Sequence, residues 1–188
     1  MTIFTGALAL GASTLPVELK SSLRALLSNG SRDCGKWHEY DKGSFFLVKW
    51  DSGAFAEPAW HEYSDGSVCA LAGDPLLLVN GELISRDLQM ARLASESEML
   101  NHIELANCRG SFALVKYFAV SNTLQLSTDA VGLRSIYYVL QDGLLIFSTA
   151  LRVLENAPQL RKRLSYQGMV ELSAFSFPLA ERSPYEGL

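Results

Sequence analysis

The sequence predicts an α+β fold in which two antiparallel sheets carry helices on their outer faces. Three observations predict it. Short β-forming segments bounded by turn residues occupy both ends of the chain, and helical spacing is confined to the stretches between and after them. Apolar residues make up 48% against 19% charged, enough for a full hydrophobic core. Strands, then helices, then strands again favour helices segregated to the outer faces of antiparallel sheets. At 188 residues the chain is one large domain, or one with an appendage.

The elements follow in order. Residues 2–10 (TIFTGALAL) are β-formers and small residues, and predict a buried strand starting almost at the terminus. Pro16 opens a helix in which Val17, Leu19, Leu23, Leu26 and Leu27 fall near helical spacing, and Asn29-Gly30 stops it. Residues 43–50 predict a second strand, ended by the turn Asp51-Ser52-Gly53. Residues 55–63 are aromatic and extended, Asp65-Gly66 is a hairpin turn, and residues 67–72 return as a strand. Residues 87–105 carry no Gly or Pro and predict one or two helices through Leu88, Ala91, Leu93, Met99, Leu100 and Ile103. The segments 110–118, 123–128, 135–140 and 144–148 predict a four-stranded antiparallel meander. Residues 151–155 form a helical turn before Pro158, and Ser165 is placed to cap a helix running through Leu172. The tail 177–188 holds two prolines without periodicity and reads as a connector.

Composition narrows the function classes. Sixteen Lys+Arg against twenty Asp+Glu give a net charge of −4, without the clustered positive excess of a nucleic-acid groove. The apolar N-terminal stretch lacks a basic flank and is too short to span a bilayer, so no membrane partner is expected. Cys34, Cys69 and Cys108 show no ligand spacing; they predict reduced, buried thiols in a cytoplasmic protein and no metal site. Phosphate-loop and nucleophile-elbow motifs are absent. His38, His61 and His102 read as structural or surface histidines, although Trp-His-Glu-Tyr occurs twice, at residues 37–40 and 60–63.

The C-terminal half carries the strongest signal. Arg109-Gly110-Ser111-Phe112-Ala113 is followed by Leu124-Gln125-Leu126, Thr128-Asp129, Gly132-Leu133-Arg134, Ile136-Tyr137-Tyr138, Leu145-Ile146-Phe147-Ser148 and Leu151-Arg152-Val153-Leu154. Leu164-Ser165-Tyr166 and Ser183-Pro184-Tyr185-Glu186-Gly187 come after them. In order and spacing this resembles the N-terminal glutaminase domain of the asparagine synthetase family, over most of the chain. The resemblance implies a four-layer αββα sandwich of the N-terminal nucleophile hydrolase type over residues 1–176. Residues 177–188 would then lead toward a C-terminal synthetase domain. Read physically, Gly132 permits positive φ in the turn after Asp129, whose carboxylate accepts backbone N–H bonds there. Arg134 is expected to pair with Asp129, and Tyr137 and Tyr138 to point to opposite faces of a strand. The motif is architectural on this reading.

The N-terminal half departs from the glutamine-hydrolysing pattern. Those members begin Met-Cys-Gly-Ile-x-Gly, and removal of Met frees a cysteine whose own α-amino group is the base. This chain begins Met1-Thr2-Ile3-Phe4-Thr5-Gly6, with Thr2 at the nucleophile position, Gly6 in place, and Phe4 either a plug of the old pocket or a core residue. The family's Asn-Gly-Glu element falls on Ala72-Gly73-Asp74 when Asp65-Gly66 is aligned as its hairpin turn. The literal Asn80-Gly81-Glu82 fits only with a longer loop and a shorter helix. The first register also brings Ser95-Glu96-Ser97-Glu98 onto the family's Ser-Asp-x-Glu. The resemblance therefore implies degenerate substrate-binding positions at Ala72, Gly73, Asp74 and Glu96. Ala72 lacks the side-chain oxyanion donor, a loss worth about 3–4 kcal/mol of barrier. Lys49 is the sole cation in residues 45–55, a weaker carboxylate clamp than a guanidinium.

The resemblance thus implies the nucleophile-less type seen in β-lactam synthetases and lasso peptide cyclases. That is a degenerate, non-hydrolysing domain with a structural or binding role in an ATP-dependent amide-forming protein. No cofactor is expected in this chain; ATP and Mg would belong to a C-terminal synthetase domain. Expected partners are that domain or a homologous chain, with a homodimer as one form. Two alternatives stand beside it: an N-terminal-threonine amidohydrolase using Thr2, and a free-standing dimerisation or docking module.

Overall fold

A computed structural model describes residues 2–11, 14–28, 35–54, 59–94, 108–176 and 183–186. The larger sheet has five antiparallel strands in the order β10 (Tyr137–Gln141), β11 (Leu144–Ser148), β1 (Ile3–Ala9), β3 (Phe45–Asp51) and β2 (Lys36–Lys42). The smaller has four, β4 (Trp60–Glu62), β5 (Val68–Asp74), β8 (Ser111–Phe118) and β9 (Thr123–Thr128). A separate hairpin joins β6 (Leu78–Val79) to β7 (Glu82–Leu83). The described helices are α1 (Val17–Ser28), α2 (Arg86–Ala94), α3 (Leu151–Asn156) and α4 (Tyr166–Phe175). None of them is long and apolar enough to cross a membrane.

Strand periodicity sorts the side chains into three apolar cores, one for each interface of a four-layer stack. On β1, Ile3, Ala7 and Ala9 face outward and meet Leu19, Leu23 and Leu27 of α1 and Val153 and Leu154 of α3. Phe4 and Leu8 face the other way, into a core between the sheets. Phe45 and Leu47 of β3, Val68, Ala70 and Ala72 of β5, and Val115 of β8 complete that core. Cys69, Leu71, Phe112 and Leu114 line the opposite face of the smaller sheet, against Met90 and Leu93 of α2. Every residue of β1 is buried, because the strand is central in its sheet and covered on both faces.

The expected meander is corrected. The four strands from Ser111 to Ser148 form two hairpins in different sheets, β8–β9 in the smaller and β10–β11 in the larger. The connection between them crosses from one sheet to the other. Hairpin spacing is the same in both arrangements, so local pattern does not distinguish them. β10 also begins at Tyr137 rather than residue 135.

Strand β2 was not expected from the sequence. It is an edge strand rich in charged residues, in which only Tyr40 is buried. Its Trp-His-Glu-Tyr and the copy at residues 60–63 lie on facing edges of the two sheets, where the His38 ring stacks on Trp60 at 5.3 Å between centroids. The stack joins one residue of each copy across the sheet edges.

Ser165 caps α4 as expected, its hydroxyl accepting the Gly168 N–H at 3.1 Å, and the helix continues to Phe175, beyond Leu172. Residues 183–186 run back along residues 163–165, with Ser165 N–H donating to Pro184 O at 2.8 Å. Tyr137 packs on the helix-side core while Tyr138 is exposed, so the two do face opposite ways.

Candidate active-site region

Thr2 precedes the first residue of β1, with its side chain on the inter-sheet face. Its hydroxyl donates to Asp51 Oδ1 at 2.8 Å. Lys49 and Asp51 are two apart on β3 and therefore share that face. Lys49 Nζ stands 2.9 Å from Asp51 Oδ2 and donates to Ala59 O at 3.0 Å. The Gly53 N–H adds a further bond to Asp51 Oδ1 at 3.0 Å. Burial alone would raise the Asp51 carboxyl, but the Lys49 and Thr2 hydrogen bonds outweigh it and hold the group below the usual range. Lys49, which as a carboxylate clamp would be weaker than a guanidinium, is engaged with Asp51.

Arg134 connects this cluster to the crossover. Its Nη1 donates to Thr2 O at 3.3 Å, and its Nε lies 2.6 Å from where a β-carbon on Gly73 would sit. Gly73 has φ of +95°, and the same β-carbon would collide with Ser111 O, so only glycine fits. The expected link between Arg134 and Asp129 runs through the backbone: Arg134 N–H donates to Asp129 Oδ2 at 3.0 Å. The Phe112, Val131 and Leu133 N–H groups also donate to that carboxylate. Burial pushes Asp129 upward, and these backbone donors more than offset it, leaving the carboxyl lowered. Gly132 has φ of +68° in the same loop, as expected.

Ala72 is buried in the inter-sheet core, and Asp74 pairs with Arg86 Nη1 at 2.8 Å. Arg86 Nη2 also donates to Gly73 O at 3.0 Å. Asn80-Gly81 forms the exposed turn of the β6–β7 hairpin. Phe4 lies in the inter-sheet core, edge-on to Phe147. Glu96, with Ser95, Ser97 and Glu98, lies outside the described residues, as do Cys34 and His102. Burial pushes the Cys69 thiol up to about 12, so it is protonated at neutral pH and is no substitute nucleophile.

Sequence reasoning missed Asp51 and Arg86. The signal available for Asp51 was its spacing from Lys49, two charged residues on one face of an otherwise apolar strand.

The family model for a glutamine amidotransferase domain matches residues 93–188, just over half of the chain. The chain belongs to the glutamine amidotransferase domain family. The matched span of this glutamine amidotransferase domain contains Asp129, Gly132, Arg134, Tyr137 and Tyr138, whereas Thr2, Ala72, Gly73 and Asp74 precede it. No curated protein matches the chain.

Proposed function

We propose that this glutamine amidotransferase domain does not hydrolyse glutamine, and that it serves as a structural or binding domain of a cytoplasmic, asparagine synthetase-like protein that forms amides with ATP. The observation that carries this reading is the state of Thr2, which is 2% exposed and whose hydroxyl is bonded to Asp51. In an N-terminal nucleophile the base is the freed α-amino group rather than a side-chain carboxylate, and the buried Asp51 holds the Thr2 hydroxyl away from solvent. Asp51 therefore orients and tethers Thr2 without activating it. Ala72 offers no side-chain donor to an oxyanion, which points the same way. The four-layer order with β1 at the centre of one sheet supports an N-terminal nucleophile hydrolase ancestry. ATP and Mg would act in a synthetase domain, not among these residues.

A second reading keeps Thr2 as an N-terminal nucleophile; the fixed orientation of its hydroxyl by Asp51 favours it. It requires removal of Met1, since the base would be the freed α-amino group. Intact-mass measurement after incubation with a diazoketone analogue of glutamine separates the two. The unmodified mass is expected. An adduct mapped to Thr2 would overturn the proposed function.

A further inference from the structure

A second cleft lies on the helix side of the larger sheet, the opposite face from the Thr2 side chain. Helix α1 rests on β1 and β3 through Leu19, Leu23 and Leu27, so edge strand β2 extends past it. The overhang leaves a cleft of about 490 Å³, within the range of small-molecule sites. Ser21, Arg24 and Ala25 of α1 form one wall, and Trp37 and Glu39 of β2 with Val48 of β3 form the other. Trp37 is 45% exposed there, opposite Trp50 in the β2–β3 register. A large aromatic side chain left open in a concave site is a stacking platform. Arg24 bridges the two walls with two bonds to Glu39, Nε donating to Oε2 at 2.6 Å and Nη2 to Oε1. Its guanidinium also lies over the Phe46 ring at 5.6 Å. Among the described residues, Arg24 Nη1 and the outer lone pairs of Glu39 make no further hydrogen bond. The pair thus presents a donor and an acceptor side by side.

We propose that this cleft binds a neutral planar nitrogen heterocycle of the nucleobase type, stacked on Trp37 with one edge on the Arg24–Glu39 pair. An amino group next to a ring nitrogen, as in adenine, matches that pair. The ring nitrogen accepts from Arg24 Nη1, and the amino N–H donates to Glu39. Net charge is selected against in both directions, because an anion would meet Glu39 and a cation would meet Arg24. Ala25 and Val48 offer apolar surface to the ring. Arg24 is the only cation among the described residues lining the cleft, and Glu39 holds it, so a phosphate chain gains no partner. The ligand is therefore a free base or nucleoside. This inference goes beyond the proposed function and does not rest on the reading of Thr2.

Saturation-transfer NMR of the full chain, titrated with adenine and observed on the ligand, tests it. Saturable binding is expected. Trp37→Ala should weaken it by about tenfold, the worth of one base–aromatic stack, with an unchanged far-UV circular dichroism spectrum. Trp37→Phe should retain most of the affinity, because the stacking face remains. The parent chain should bind 6-dimethylaminopurine, which has no amino N–H to give Glu39, about fivefold more weakly than adenine. Absence of saturable adenine binding, binding unaffected by Trp37→Ala, or equal binding of the two purines would overturn the proposal.

Discussion

Asp51→Ala is expected to lower unfolding stability by roughly 3–5 kcal/mol, the usual cost of breaking a buried ion pair by removing one member. Lys49 is fully buried, and Asp51 is its anionic partner at 2.9 Å. Truncating the carboxylate also removes the acceptor of the Thr2 hydroxyl and the Gly53 N–H. The triple replacement Thr2→Val, Lys49→Met, Asp51→Leu is expected to recover at least half of that loss, because apolar residues of similar volume often replace a buried pair at little cost. Urea unfolding of both variants measures this. A single variant within about 1 kcal/mol of the parent would show that the cluster is not a structural tie.

Asp129→Ala is expected to cost roughly 2–4 kcal/mol, since it removes the shared acceptor of several backbone N–H groups, including the buried one of Phe112. For a chain of this size that corresponds to a fall in melting temperature of roughly 5–15 °C. Asp129→Asn, which keeps one oxygen acceptor, should fall between the two. Asp51 and Asp129 both titrate lower folded than unfolded. Their contribution is therefore present above the ordinary carboxyl value of about 4 and is lost as pH falls through the lower folded values. Melting followed across the acid range should show a shallower decline in Asp129→Ala than in the parent.

Much of the fold was legible because burial writes periodicity into the chain. Leu19, Leu23 and Leu27 mark the buried stripe of α1, and Ser165 marks the start of α4. Strand β2 was hidden because an edge strand paired on one side needs little apolar surface, and Tyr40 alone supplies it. The sheet assignment of β8 to β11 was hidden for a different reason: the crossover is set by Asp129 collecting N–H groups from β8 and its own loop, a tertiary event. In the site, Gly73 and Asp129 could be read from turn chemistry and motif. The pairing of Asp51 with Thr2 joins residues 49 apart and has no local signature.

The most direct test of the central claim is glutamate release from glutamine, followed in parallel for the parent chain and Thr2→Ala. The account predicts no release above the protein-free rate in either. Release by the parent that disappears in the folded Thr2→Ala variant would contradict it.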